Sequence, residues 1–327
     1  MSWENLLPDF RRGQPLAISR LLNLVENGGP EKYQVLKTIS AWTGNAYIVG
    51  LTGPPGAGKS TLTYQLARLL VQQGLSVGVI CIDPTSPFTG GAFLGDRVRM
   101  AGLNNEPRVF IRSLATRGSL GGLSATAKDV VQLLDAAGKD VVLVETVGTG
   151  QVEHDIIRIA DITVLITVPG LGDGIQALKA GIMEIADVFV VNKADREGAE
   201  ETVKDLKMML SEIEKQGWQP RVIKTSAARN EGVQEMWEAL CLHRSYLEHS
   251  GQWAERRRNR IRTILHENIT DHIITRVNQV LQTNEILLGI QRRVDEGELD
   301  LYTSAQDIAD YILPKAGIGL RGGRNDG

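Results

Sequence analysis

The rhythm of apolar and polar positions changes twice along the chain. Leu16, Leu21, Leu22 and Val25 recur at helical spacing, and the polar stretch Asn27-Gly28-Gly29-Pro30 interrupts them. A second short helix carries Tyr33, Leu36 and Ile39. From Ala46 the period shortens. Short runs rich in β-branched residues, 46–52, 76–82, 108–114, 140–146, 162–168, 187–193 and 221–227, alternate with amphipathic stretches. That alternation predicts an α/β fold, a mostly parallel sheet with helices on both faces. Beyond about Leu242 the pattern is helical again. Ile261, Leu265, Ile269, Ile273, Val277 and Leu281 form a stripe at a spacing near four. Leu301–Leu313 reads as a further helix capped by Ser304, and the Gly-rich tail 317–327 reads as frayed. The expected organisation is a helical N-terminal extension (1–44), an α/β domain (45–242) and a helical C-terminal arm (243–327).

One loop adds chemistry to this frame. Gly53-Pro54-Pro55-Gly56-Ala57-Gly58-Lys59-Ser60 follows the first strand and precedes a helical run beginning at Thr61. It matches G-x-x-x-x-G-K-[ST], the phosphate-binding loop, in the strand–helix context that pattern requires. The three glycines allow backbone N–H groups to converge on one concavity. Phosphates would then lie at the N-terminus of the next helix, with Lys59 reaching the β- and γ-phosphates and Ser60 placing its hydroxyl on Mg²⁺. Residues 53–61, including Pro54, Pro55, Ala57 and Thr61, are the expected nucleotide contacts.

Magnesium needs further oxygen ligands. Glu145 ends a strand where a second acidic residue of this fold class would sit. Gly148 follows at E-x-x-G spacing, so its N–H could sense a γ-phosphate. Asp83 ends another strand and Asp96 lies in a Gly-rich loop. Each could serve the metal, directly or through water; each could equally cap a turn or a helix.

The base is read elsewhere. Asn192-Lys193-Ala194-Asp195 directly follows a strand-like run, and Thr225-Ser226-Ala227 closes the next one. A carboxylate at Asp195 accepts from the ring N–H and exocyclic amine of guanine, whereas adenine presents the wrong pattern. The stem of Lys193 can lie along the base. Ser226, Ala227 and Ala228 offer backbone N–H groups to the guanine oxygen. The sequence therefore points to GTP and GDP rather than ATP.

Bulk composition narrows the rest. The chain has 327 residues, 42% hydrophobic, with a formal net charge of −3, so no basic excess favours nucleic acid. The start shows no signal pattern, and no apolar run approaches the roughly 20 residues of a membrane span. Cys81 and Cys241 form no metal-spaced pair, and Cys81 reads as a buried thiol. A cytoplasmic protein without membrane or nucleic-acid partners is expected. The basic run Glu255–Arg262 reads as a solvated helical face or as a contact to an acidic partner or second subunit; Trp253 beside it fits core or interface. No histidine shows ligand spacing.

These motifs, with the stretches 83–100 (DPTSPFTGGAFLGDRVRM), 145–153 (ETVGTGQVE) and 172–195, closely resemble the MeaB/ArgK-type GTPases. Those proteins are chaperones of adenosylcobalamin-dependent acyl-CoA mutases such as methylmalonyl-CoA mutase. The resemblance spans nearly the whole chain. It implies a P-loop GTPase fold and a homodimer held by the C-terminal helices. It further implies a GTP-gated complex with a mutase that itself carries the adenosylcobalamin. It places Asp83, Asp96 and Glu145 in the Mg²⁺ and first-switch network, and Asp173 and Lys179 in a further switch. Read without the resemblance, Lys179 is a solvated lysine near a Gly-rich loop. Many members read ETVGVGQSE and GGSILGDKTRM, so Thr149, Val152, Ala92, Phe93, Arg97 and Val98 depart from the family pattern. Thr149 stands where a Ras-like enzyme carries its water-orienting Gln, and Gln151 follows two positions on. Slow intrinsic hydrolysis, accelerated by a bound mutase, is expected. A P-loop kinase acting on a metabolite or transport protein is the alternative reading, and a nickel-delivering assembly GTPase is a third.

Overall fold

The computed structural model describes residues 2–83, 100–103, 105–115, 125–146, 156–170, 186–212 and 217–312. Seven parallel strands form one sheet: β1 (Tyr47–Thr52), β2 (Val77–Asp83), β3 (Val109–Ala115), β4 (Val141–Thr146), β5 (Ile162–Thr167), β6 (Val188–Val191) and β7 (Arg221–Lys224), in the order β3-β2-β4-β1-β5-β6-β7. The helices are α1 (Leu7–Arg11), α2 (Pro15–Asn27), α3 (Pro30–Ile39), α4 (Lys59–Gln72), α5 (Ala125–Ala136), α6 (Ala199–Glu212), α7 (Val233–His249), α8 (Gln252–Thr283), α9 (Glu285–Asp295) and α10 (Leu301–Ile312).

Strand β1 is buried along its whole length, which explains its nearly continuous apolar sequence. Its side chains alternate between two layers. Tyr47, Val49 and Leu51 meet Leu62, Leu66 and Leu70 of α4 and Met236 and Leu240 of α7. On the other face, Ile48 joins Ile80, Val142 and Val144 against Val130, Val131 and Leu134 of α5. Phe10, Ile18, Leu21, Leu22 and Val25 of the first helices enter this second layer with almost no exposure. The N-terminal segment thus supplies core. The expected α2 stripe holds at Leu21, Leu22 and Val25 but not at its start: Leu16 is 65% exposed, while Ala17 and Ile18 are buried in its place. Cys81 is buried, as its strand pattern predicted. A separate cluster packs Val203 and Leu206 of α6 on Leu165, Phe189 and Val191.

The strands place their loops by register. β1 lies between β4 and β5, with Leu51 opposite Glu145 and Thr52 opposite Leu165. The loop after β1 therefore opens at the carboxyl edge of the sheet, beside the ends of β4 and β5, where ligands bind in such folds.

The opposite edge is tied down by charge. Asp187 precedes β6, and its carboxylate accepts from Thr163 N (2.9 Å) and from Arg256 of α8 (3.0 and 3.4 Å). Buried His243 sits 3.3 Å away. Asp161 precedes β5; it accepts from Ile48 N (3.0 Å) and Arg257 (3.3 Å). Arg257 also donates to the carbonyls of Ala46 (2.7 Å) and Gly44. Two arginines of the basic run thus bind acidic residues within the chain, Arg257 largely buried and Arg256 still 41% exposed. Trp253 packs against the first layer, its ring 4.3 Å below the Arg257 guanidinium.

The chain divides into two compact units, Met1–Arg258 and Asn259–Gly327. In the second, Asn284 caps α9 by accepting from Ile286 N and Leu287 N. The cap of α10 differs from expectation. Asp300, not Ser304, accepts from Tyr302 N (3.0 Å) and Thr303 N (2.9 Å), while Ser304 lies buried inside the helix. A carboxylate one residue before the helix reaches those first free N–H groups, and they hold its pKa below the ordinary value. No side chain of α8 is buried: Ile261, Leu265, Ile269 and Ile273 are 44–64% exposed.

Candidate functional site

The loop 53–58 owes its shape to glycine at two tight points. Gly53 has φ +142°, and a Cβ there would lie 2.0 Å from the carbonyl oxygen of Ile166 in β5. Gly58 has φ +85° and caps α4 in the left-handed conformation; a Cβ there would stand 2.5 Å from Asn192 Nδ2. No L side chain fits either position without displacement. The loop can therefore lie directly against β5 and Asn192.

Lys59 and Ser60 form the first turn of α4 and are both buried. Lys59 Nζ donates to the carbonyls of Gly53 (2.6 Å) and Pro54 (3.0 Å), curling over the loop. Ser60 Oγ donates to Glu145 Oε1 across 2.6 Å. Glu145 comes from the end of β4, and neighbouring Thr146 donates to Thr52 Oγ1 at 3.2 Å. A hydroxyl and a carboxylate in contact, both hard oxygen donors, suit a small divalent cation such as Mg²⁺. Among the described residues no group of three or more His, Cys, Asp or Glu is placed to hold a metal ion.

The NKAD stretch meets the same loop. Strand β6 ends one residue before Asn192, whose Nδ2 donates to Ala57 O (2.8 Å). Its Oδ1 accepts from Thr225 Oγ1 and Ala227 N, each at 3.1 Å. Lys193 turns to φ +56° and its Nζ donates to Gly56 O (2.7 Å). Asp195 accepts from Ser226 Oγ (2.7 Å) and faces Arg229 at 3.5 Å. The Ser226 hydroxyl foremost, then a backbone N–H and nearby arginines, hold the Asp195 carboxyl below its ordinary range. An ionised carboxylate can only accept, the form suited to two adjacent N–H donors.

Phosphate loop, Glu145, NKAD and Thr225–Ala228 therefore converge at one edge of the sheet. Thr61 and Ala228 flank them with exposed side chains. Asp83 ends β2 with its backbone two residues past Cys81, which pairs with Glu145. Asp96, Gly148, Asp173 and Lys179 lie outside the described residues, as do Thr149 and Gln151. Two contacts escaped the motif reading. Gln65 Nε2 donates to Ala227 O (3.1 Å), and Arg229 faces Asp195. A polar residue between Leu62 and Leu66 on a core-facing helix was the available signal for Gln65.

Known proteins match the chain over its length. A Pyrococcus abyssi protein named as a GTPase is 49% identical over 95% of this chain and 97% of its own. GTPase ArgK of Escherichia coli is 34% identical over 93% of this chain and 94% of its own. The mouse mitochondrial methylmalonic aciduria type A homolog is 37% identical over 82% of this chain and 65% of its own. The solved structure of a LAO/AO transport system kinase superposes with TM-score 0.71 at 27% identity, covering 95% of this chain and 97% of that one. The family described as methylmalonyl Co-A mutase-associated GTPase MeaB matches residues 18–282. The chain belongs to this MeaB family of GTPases.

Proposed function

We propose that this GTPase binds an adenosylcobalamin-dependent acyl-CoA mutase and uses GTP binding and hydrolysis to gate loading and protection of the mutase cofactor. The family description, which names the association with methylmalonyl-CoA mutase, supports the partner. The observation that carries the nucleotide half is the convergence of Ser60, Glu145, Ala57, Asn192 and Ala227 through three hydrogen bonds of 2.6–3.1 Å.

In this reading residues 53–61 cradle the phosphates, and Lys59 turns from the loop carbonyls toward the β- and γ-phosphates. Ser60 and Glu145, with Asp83 and Asp96, hold Mg²⁺, which when bound draws charge from the phosphate oxygens. Gly148 N–H faces the γ-phosphate. Asp195 accepts from the guanine ring N–H and amine; Lys193 lies along the base; Ser226, Ala227 and Ala228 face its oxygen. Asp173 and Lys179 belong to a switch that couples the mutase to hydrolysis. The protein works as a homodimer through its C-terminal arm, in the cytoplasm. No helix among the described residues is long and apolar enough to cross a membrane.

Intrinsic hydrolysis is slow and accelerates when the mutase orders the switches. The test is phosphate release from GTP by the purified protein with and without a candidate mutase. Acceleration specific to one B12 mutase supports the proposal; fast turnover that no mutase changes removes the gating role. A kinase reading follows from the likeness to the transport system kinase, which is 27% identical. Labelled GTP separates the two, since a kinase leaves phosphate on an acceptor other than water.

A further inference from the structure

Among the described residues, Gln65 is a polar side chain at this edge that the nucleotide reading leaves without a part. It stands on α4, five positions beyond Ser60. Its Nε2 donates to Ala227 O at 3.1 Å, and its Oε1 is buried with no hydrogen-bond partner. Only the donating half of the amide is used. Leaving a buried acceptor unpaired costs free energy, so the bond made by Nε2 is retained against that cost.

The bond closes a circuit. Ala57 O accepts from Asn192 Nδ2, Asn192 Oδ1 accepts from Ala227 N, and Ala227 O accepts from Gln65 Nε2. Helix α4 then returns from Gln65 to Lys59 and the phosphate loop. Ala227 is therefore held from both its N–H and its carbonyl, by one side chain from each of the two elements that read the nucleotide. In the proposed binding mode the 226–228 turn faces the base, so its hold on the loop bears on how readily the base leaves. Without Gln65 the polar ties of that turn among the described residues run only to the NKAD segment, through Asn192 and Asp195, and to its own backbone, and none runs to the phosphate helix.

We infer that Gln65 is a positioning residue that couples the phosphate helix to the base-reading turn and thereby sets the rate of guanine nucleotide release. This rests on the proposed binding of GTP and GDP at this site. The coupling acts through geometry and touches no reacting atom.

The test is stopped-flow release of a fluorescent GDP analogue from the full-length protein, comparing wild type with Gln65→Met, Gln65→Glu and Gln65→Lys. Methionine keeps the volume but removes the donor, and release is expected about five-fold faster, the size of one neutral hydrogen bond. Glutamate turns an acceptor toward Ala227 O and is expected to release fastest. Lysine restores a donor and recovers part of the loss. A packing role predicts the reverse order, with methionine best tolerated and lysine worst. The GDP-to-xanthosine-diphosphate preference stays at the wild-type value in all three, unlike a change at Asp195. Methionine and glutamate variants releasing at the wild-type rate, or the packing order, would overturn the inference. Wild type that holds no GDP analogue would instead remove the nucleotide reading beneath it. Thermal melts without nucleotide confirm that each variant folds.

Discussion

Ser60 Oγ and Glu145 Oε1 are 2.6 Å apart although 85 positions separate the residues in sequence. One begins a helix and the other ends a strand, and the pairing of β1 with β4 brings them together. Both are buried, so Mg²⁺ bound here would be shielded from bulk water on that side. Glu145→Gln keeps the volume and the contact to Ser60 but removes the charge. We expect Mg²⁺-dependent GTP hydrolysis to fall about 100-fold, the scale of one electrostatic element in a preorganised site. Phosphate release across a Mg²⁺ titration checks this; an unchanged Mg²⁺ dependence would remove Glu145 from the metal set.

Gly58→Ala addresses the loop itself. The added methyl would meet Asn192 Nδ2 at 2.5 Å in a backbone conformation with φ +85°. Either the loop or the Asn192 bond to Ala57 must yield. Strain of this kind costs about 1–3 kcal/mol. Nucleotide affinity should fall at least ten-fold, about 1.4 kcal/mol or more, while circular dichroism stays native. Calorimetry with GDP is the measurement, and retained affinity would show that the loop relaxes freely.

Asp195→Asn should exchange one base preference for another. In the proposed binding mode the native carboxylate would accept two N–H groups; an amide presents one acceptor and one donor. GTP affinity is expected to drop by about 100-fold or more, with xanthosine triphosphate gaining, because an unpaired polar group is left at the base edge. Competition binding of GTP, xanthosine triphosphate and ATP tests it. ATP competing equally with wild type would contradict guanine reading altogether.

The basal end of the sheet predicts an acid response. Burial pushes the Asp187 carboxyl up, but His243 and Arg256 outweigh burial and hold it below its ordinary 3.8. A carboxylate depressed in the folded state contributes stability above its unfolded value and loses it as pH falls through the lower folded value. Asp187 should therefore support the fold down to pH values below 3.8. Arg256→Ala removes one of the lowering groups. Because Arg256 is 41% exposed, solvent screening holds the loss to about 1–2 kcal/mol near neutral pH. The acid-unfolding midpoint should also move upward. Urea titrations at pH 7 and acid titrations followed by circular dichroism measure both; an unmoved acid midpoint would make this pair a passive contact.

Much of this was legible in the residues because local rules decided it. The strand reading of 46–52 found β1, observed as Tyr47–Thr52, since a strand buried on both faces must be apolar throughout. The phosphate loop was legible because glycine there answers to backbone geometry, as the close approaches at Gly53 and Gly58 bear out. The strand predicted over 187–193 ended early, at Val191. Asn192 turns its side chain to Ala57, and Lys193 leaves the extended region. The basic run was legible only in part: Arg258 and Arg262 are exposed, as a solvated face predicts, but two of its arginines also bind carboxylates within the chain. Arg256 and Arg257 find partners 69 and 96 positions away, and no local pattern reports the end of a sheet at which Asp187 and Asp161 emerge. The same holds for Gln65, whose partner Ala227 is 162 positions distant.

The C-terminal arm carries the last prediction. Ile261, Leu265, Ile269 and Ile273 are all at least 44% exposed, on a helix with no buried side chain. A four-residue step advances about 40° around a helix, so this row forms an inclined ridge rather than a seam parallel to the axis. Ridges of this kind pack against one another at crossings of about 50°, which limits close contact to the middle of the row. If two copies of this chain associate through α8, Leu265, Ile269 and Ile273 would be the centre. Each side chain buried there contributes about 1.5–3 kcal/mol, and a carboxylate in its place would be desolvated without a partner. The double variant Leu265→Asp/Ile269→Asp is expected to run as a monomer in size-exclusion chromatography with light scattering, where wild type runs as a dimer. Residues 53–60 lie outside the second unit, so GDP affinity per chain should survive the change. A dimer that persists in the double variant would place the subunit contact elsewhere, and a monomeric wild type would leave the ridge for the mutase.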